Sequence, residues 1–453
     1  MVSTPRLVIA APASGSGKTT VATGLLAALR VQGHRVAPFK VGPDYIDPGY
    51  HGMAAGRPGR NLDPVLVGES RIGPLFAHGA AGAEIAVVEG VMGLFDGRAD
   101  SPAGSTAHVA QLLDAPVVLV VDARGQGRSL AALLHGFRGY DPTVRLAAVV
   151  LNQVGSARHE QVLREACAEI GLPVLGAVPR GAEVALPSRH LGLVPAVEHG
   201  EPARHAVAAM ADLITRSVDL DAVLRLAATA GPAPWSPWDP VTEVGGAGPG
   251  RPVVAVAGGP AFTFGYAEHG ELLTAAGADV VTLDPVRDEP LPTGVAALLL
   301  PGGFPEQHTE ALSANTRMRD AVAEFARSGG IVQAECGGLL YLLDELRGRP
   351  MCGVLPGTAD LAPALTLGYR DAVAATDSVT HRVGERRTGH EFHRTSITGA
   401  GRGEPAWHWR DHDGHPIREG FVTGNVHASY LHTHPAGHPE TTARLVHAAG
   451  GRP

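Results

Sequence analysis

Two stretches of this chain repeat one rhythm: a short apolar run, a helical segment, another apolar run. In the first stretch the runs fall at residues 7–10, 35–40, 84–89, 116–122, 146–152 and 173–178. In the second they fall at 252–257, 278–283, 296–300 and 330–334. Runs this short, with apolar interiors rich in Val, Ile and Leu, are expected to be strands buried on both faces. The helical segments between them serve as the crossovers that parallel strands require. The expected fold class is therefore α/β, with two parallel-sheet domains in tandem. Between the stretches lies Gly- and Pro-rich chain, where Pro removes backbone donors and Gly adds chain entropy. This places a domain at 1–230, a linker at 231–250 and a second domain at 251–453. The tail from about residue 365 reads as shorter β-like pieces with many histidines.

With 453 residues, each half can bury its own core. A net charge of −8, without any Lys/Arg run, opposes binding to nucleic acid. No stretch is apolar for long enough to span a membrane, and the run at 7–11 is too short for a signal peptide. The three cysteines, Cys167, Cys336 and Cys352, have no paired spacing and set no disulfide framework. A reducing, cytoplasmic location is expected.

Residues 11–20 read Ala-Pro-Ala-Ser-Gly-Ser-Gly-Lys-Thr-Thr and sit between the first strand and a helix expected to run through Ala28. A Gly-rich turn there aims backbone N–H groups and a helix N-terminus at an anion. Ser14, Gly15, Ser16, Gly17, Lys18, Thr19 and Thr20 are the expected nucleotide-binding residues. Lys18 would reach the β- and γ-phosphates, and Thr19 would ligate Mg²⁺. Position 13 is Ala, where partition-type ATPases carry an extra lysine, and this favours small-molecule ATP chemistry over a dimerisation switch.

Two acidic loops follow strands of the same sheet. In Lys40-Val-Gly-Pro-Asp44-Tyr45-Ile-Asp47, Lys40, Asp44, Tyr45 and Asp47 are candidates for substrate and phosphoryl contacts, with Asp44 also a metal ligand. Alone, this segment reads equally well as a solvated turn. In Glu89-Gly-Val-Met-Gly-Leu-Phe-Asp96, Glu89 is a second Mg²⁺ candidate and Asp96 a candidate for orienting substrate. Residues 101–105 are expected to form a mobile substrate loop.

In the second domain, a strand runs into Glu335-Cys336-Gly337-Gly338 and then a helix. A nucleophile on a strained strand-to-helix turn needs small neighbours. The helix N-terminus is expected to lower the thiol pKa. Backbone N–H groups at Gly303 and Gly337 are the expected oxyanion donors. His432, with His434 beside it, is the expected base. Cys167 and Cys352 lack the glycine setting and read as structural.

Taken together, these motifs, with Gly302-Gly-Phe-Pro-Glu306 and Gly389-His-Glu-Phe-His393, resemble the cobyrinate/hydrogenobyrinate a,c-diamide synthases over nearly the whole chain. The resemblance implies a dethiobiotin-synthetase-like ATPase domain joined to a class I, triad-type glutaminase domain. It implies Mg²⁺, ATP and L-glutamine, and a tetrapyrrole acid whose a and c acetates become amides; the Ala-, Gly- and Pro-rich, GC-type composition favours the cobalt-free hydrogenobyrinate over cobyrinate. Triad glutaminases commonly carry Glu two residues after the catalytic His, and here that position is His434. Alternatives are a related amidotransferase acting on sirohydrochlorin or cobyrinate diamide, and a non-catalytic phosphate-loop switch. Self-association, where it occurs, is expected to give a homodimer.

Overall fold

The computed structural model describes residues 4–99, 101–182, 188–189, 192–399 and 403–451. It divides into two compact units, Met1–Trp238 and Asp239–Pro453. The first is built on strands β1 (Arg6–Ala10), β2 (Val36–Val41), β3 (Arg60–Leu62), β4 (Ile85–Glu89), β5 (Val117–Asp122), β6 (Leu146–Val154) and β7 (Val174–Pro179). They form one sheet in the order β3-β2-β4-β1-β5-β6-β7, and every pair is parallel. The sequence rhythm did not mark β3, a three-residue edge strand that begins Arg60-Asn61. Helix α1 (Lys18–Val31) runs one turn beyond the expected Ala28. It packs closely on the helix Glu201–Ser217, where a methyl group at Gly24 would lie 2.8 Å from the Met210 carbonyl oxygen. Two two-residue strands, β8 (Ser188–Arg189) and β9 (Gly192–Leu193), pair antiparallel.

The direction of winding reverses around β1, so a crevice opens at the carboxyl ends of the central strands. Register decides what reaches it. Lys40 of β2 lies opposite Glu89 of β4, and Glu89 lies opposite Ile9 of β1, the strand that feeds the Gly-rich loop.

The segment expected as a linker is folded. Arg6 Nη2 donates to the Gly231 carbonyl at 2.8 Å, and the Arg6 guanidinium lies 5.3 Å from the Trp235 ring centroid. Trp235 meets Phe76 edge-on, and the Trp238 N–H donates to the Pro74 carbonyl at 2.9 Å. Residues 231–238 thus strap the first unit, because two tryptophans supply apolar contact area that the Pro and Gly content masks. The second unit opens with the short helix Pro240–Val244, capped by the Asp239 carboxylate.

In the second unit, β10 (Val253–Ala257), β11 (Asp279–Leu283), β12 (Val295–Leu300) and β13 (Ile331–Glu335) precede a second sheet made of β14 (Leu343–Leu346), β15 (Arg349–Pro350), β16 (Leu355–Ala374), β17 (Arg386–Thr398), β18 (Trp407–Arg410) and β19 (Pro416–Glu419). The chain then returns through β20 (Phe421–Thr423) and β21 (Val426–Ser429). The main sheet has the order β11-β10-β12-β13-β21-β20, parallel except for β20 at its edge. One face buries Leu298, Leu300, Val332 and Ala334, and the other Val254, Ala297, Leu299 and Ile331. The tail departs from the expected short pieces, since β16 spans 20 residues and pairs antiparallel with β17. Among the described residues, no helix is long and apolar enough to cross a membrane.

Candidate active sites

The first site lies where the Gly-rich loop meets the ends of β2 and β4. Ser14 and Gly15 are exposed at its tip, while Ser16 turns inward and donates to the Ala13 carbonyl at 2.9 Å. Gly17 is in the left-handed region at φ 95°, and a methyl group there would lie 2.3 Å from Asn152 Nδ2. Glycine is therefore required at this position on both counts. Asn152, at the end of β6, donates to the Ser16 carbonyl at 3.0 Å and ties the loop to the sheet. Thr20 follows, half-buried, in the first turn of α1.

Lys18 is buried and donates to the Met92 carbonyl at 2.5 Å. Burial, and then the neighbouring Lys40, depress its pKa. Thr19 Oγ1 donates to Glu89 Oε1 at 2.8 Å and stands 3.3 Å from Asp47 Oδ2. Lys40 Nζ bridges the same two carboxylates, 2.7 Å from Asp47 and 2.9 Å from Glu89. Burial alone would depress this ammonium, but Asp47, Glu89 and Asp44 outweigh it and raise its pKa. The Glu89 carboxyl is likewise lowered despite its burial, by Lys40 and by His51, whose Nε2 lies 2.6 Å away. Asp47 goes the other way: burial, and then Asp44, push it up to about 7.

Several expected roles shift. Asp44, expected at the metal, uses Oδ1 to accept the Ile46 and Asp47 N–H groups, and its Oδ2 is 3.9 Å from Lys40. Asp47 is the carboxylate beside Thr19 instead. Tyr45 is buried in the same turn. Asp96 is exposed and accepts the Gly93 N–H at 2.9 Å, which fixes the loop after β4. In the expected substrate loop, Ser105 caps the helix Thr106–Leu112 by accepting the His108 N–H. No sequence motif marks His51 or Asn152 as part of this site. His51 stands four residues after Asp47, one helical turn away on the helix Asp47–Ala55, and that spacing was its only signal.

Thr19, half-buried, and the buried carboxylates of Asp47 and Glu89 form an oxygen-only set balanced by the Lys40 ammonium. This donor chemistry suits Mg²⁺.

The second site centres on Cys336, which joins β13 to the helix Gly337–Leu342 at φ 47°, ψ −100°. A non-Gly residue held in that region is strained, and close packing holds it there. The Cys336 N–H donates to the Ser429 carbonyl at 2.7 Å. A methyl group at Gly338 would lie 2.1 Å from the Leu300 carbonyl oxygen, and one at Gly337 would lie 2.8 Å from the Gly303 amide nitrogen. The two expected oxyanion donors, Gly303 and Gly337, are thereby brought together beside the thiol.

The thiol pKa is raised, not lowered as expected from the helix N-terminus. Burial is the main cause, followed by the charge of Glu306, with Glu335 and Glu391 adding to it; the hydrogen bond at Gly337 offsets only part. Cys336 is therefore held as a thiol, and a base must take its proton. His432 is fully buried, with its Nδ1 3.7 Å from Glu335 Oε2. Its ring also abuts Gly302 and Phe264. The His434 ring lies against Tyr266, tilted by 35° at a centroid separation of 4.0 Å. Cys336 Sγ lies 3.8 Å from the Phe392 carbonyl oxygen. Beside it, Glu391 pairs with Arg370 Nε at 2.6 Å. Glu335, Glu391 and Phe392 lie within the motifs Glu335-Cys-Gly-Gly338 and Gly389-His-Glu-Phe-His393, and nothing in the sequence alone assigns them a role. All three cysteines are free and buried.

Comparison with known proteins agrees with this division. Residues 7–194 match the family described as CobQ/CobB/MinD/ParA nucleotide binding domain, and residues 253–439 match CobB/CobQ-like glutamine amidotransferase domain. A hydrogenobyrinate a,c-diamide synthase of Mycobacterium tuberculosis is 61% identical, covering 99% of this chain and 98% of its own. The protein of that name from Streptomyces coelicolor is 55% identical, covering 98% and 97%. A cobyrinate a,c-diamide synthase of Gloeobacter violaceus is 45% identical, covering 94% and 93%.

Proposed function

This chain belongs to the cobyrinate/hydrogenobyrinate a,c-diamide synthase family, and from that premise we propose that it amidates the a and c acetates of hydrogenobyrinate, using ATP and glutamine. One observation supports the reading above all. A single polypeptide holds a phosphate loop facing buried carboxylates and, in its other unit, a cysteine on a strained turn with a buried histidine nearby.

A substrate carboxylate oxygen attacks the γ-phosphorus of ATP, ADP leaves, and an acyl phosphate forms. Lys18 and the loop amides hold the phosphates, and Lys40 offsets charge on the transferring group. Thr19, Asp47 and Glu89 would hold Mg²⁺, which neutralises phosphate charge when bound. In the second unit His432 accepts the Cys336 proton as sulfur attacks the glutamine amide carbon. Amide N–H groups at Gly303 and Gly337 stabilise the oxyanion, and His432 passes the proton to the leaving nitrogen, so that ammonia departs as a thioester forms. Water then releases glutamate. Ammonia displaces phosphate from the acyl phosphate and gives the amide, once at each acetate. The free cysteines fit a reducing compartment, the cytoplasm on this reading.

The Cys336→Ala variant tests the division of labour. It is expected to lose glutamine-supported amidation and keep ammonia-supported amidation, with the amides counted by mass spectrometry. Undiminished glutamine use, or loss of both activities in a folded protein, would refute it. Supplying the cobalt-free and cobalt-containing macrocycles separately tests the substrate.

A further inference from the structure

A histidine that serves as a base needs a partner on its second ring nitrogen, one that fixes the ring and stabilises the cation formed on proton uptake. The position two residues after His432 cannot supply it. His434 is not acidic, its Nδ1 accepts the Ala436 N–H at 3.2 Å, and its ring lies on Tyr266.

An acid arrives from the adjacent strand instead. β13 and β21 are parallel neighbours, with Glu335 in register with Ser429, three residues before His432. Gln333 and Glu335, two apart on β13, line the same small cavity of about 40 Å³. Glu335 is buried, and its two oxygens are divided. Oε1 accepts the Thr433 hydroxyl at 3.0 Å, and Oε2 stands 3.7 Å from His432 Nδ1. Burial would push this carboxyl up, yet His432, with His269 and Thr433, holds it below the ordinary glutamate value. Of the other imidazoles near this pair, burial lowers the pKa of His269, His390 and His427.

We propose that Glu335 is the acidic positioning residue of the glutaminase centre, supplied by the residue directly before the nucleophile and held by Thr433, so that it orients and charge-compensates His432. The inference rests on the glutaminase reading above and deepens it. Glu335 transfers no atom to substrate; it acts through the imidazole.

The test uses the full-length protein and three variants: Glu335→Gln, Glu335→Asp and Cys336→Ala. For Glu335→Gln, kcat with glutamine is expected to fall by roughly 10²-fold with little change in KM. The acid limb of its pH profile should move to lower pH, because an imidazolium loses its counter-charge. Glu335→Asp, which keeps the charge one methylene further back, should recover part of kcat. Wild-type kcat and an unmoved acid limb in Glu335→Gln would overturn the proposal while leaving the glutaminase reading intact. Glutamine use by Cys336→Ala would overturn that reading itself. Should Glu335→Gln not fold, Glu335→Asp decides alone: a partial loss of kcat with a preserved acid limb supports the role, and wild-type kcat overturns it.

Discussion

Lys40, Asp47 and Glu89 show what the proposed phosphate-handling site costs before any ligand arrives. Two carboxylates and an ammonium are removed from water, and desolvation of each ion costs several kcal/mol. The arrangement holds because Lys40 touches both acids and His51 adds a further contact to Glu89. The balance is uneven, since Asp47 is left with a pKa raised to about 7. A carboxyl whose folded pKa exceeds its unfolded value binds the extra proton in the folded state. Its stabilising contribution is complete below the unfolded value of about 4 and is lost as pH rises through about 7. Glu89, being lowered, contributes in the opposite sense, with stability lost as pH falls, so the diagnostic quantity is a difference between proteins. Without nucleotide or metal, wild-type stability relative to Asp47→Asn is expected to decline between pH 4 and pH 7. Urea midpoints across that range measure it. A pH-independent difference would mean that Asp47 ionises as an ordinary surface acid does.

At the scale of elements, the second site is a meeting of turns. Gly302 and Gly303 follow β12, Cys336 follows β13 and His432 follows β21, so three neighbouring parallel strands carry the proposed oxyanion donors, nucleophile and base. Close approach is its condition: a methyl group at Gly302 would lie 2.3 Å from His432 Cε1 and 3.2 Å from Phe264 Cβ. Gly302→Ala should therefore displace the imidazole and lower glutamine-supported turnover by roughly 10²-fold, with ammonia-supported amidation retained. Steady-state assays with each nitrogen source check this, and equal effects on both would relocate the fault to the fold. Much of this was legible in the sequence, because apolar runs mark buried strands and paired glycines mark tight turns. What was not legible depended on register. Nothing in Glu335-Cys336 says that the acid meets an imidazole from another strand, and only the pairing of β13 with β21 makes it so. The ribbon β16–β17 was hidden for a different reason. Leu355–Ala374 is rich in Ala, Gly and Pro with few β-branched residues, and its strand character comes from cross-strand pairing with β17. Trp235 and Trp238 erred in the other direction, since a Pro/Gly spacing that predicts loose chain conceals two anchoring side chains.

At the scale of the molecule, each unit has its own parallel main sheet, its own core and its own candidate site. Two ligands should then stabilise two separate sets of residues. Binding to the native state alone suppresses every opening that releases the ligand, by about 10²-fold when the ligand is at 100 times its Kd. Cys336→Ala provides a protein that binds glutamine without consuming it. In hydrogen exchange on this variant, ATP with magnesium should slow amides of the Gly-rich loop, α1 and the ends of β2 and β4. Glutamine should slow those around Gly303, Gly337 and Phe392 instead. The pattern follows from where the strands end, since both ligands approach carboxyl ends of parallel strands but in different sheets. Protection of a single unit by both ligands would contradict the assignment of one chemistry to each, and protection by neither would remove the nucleotide and glutamine sites together.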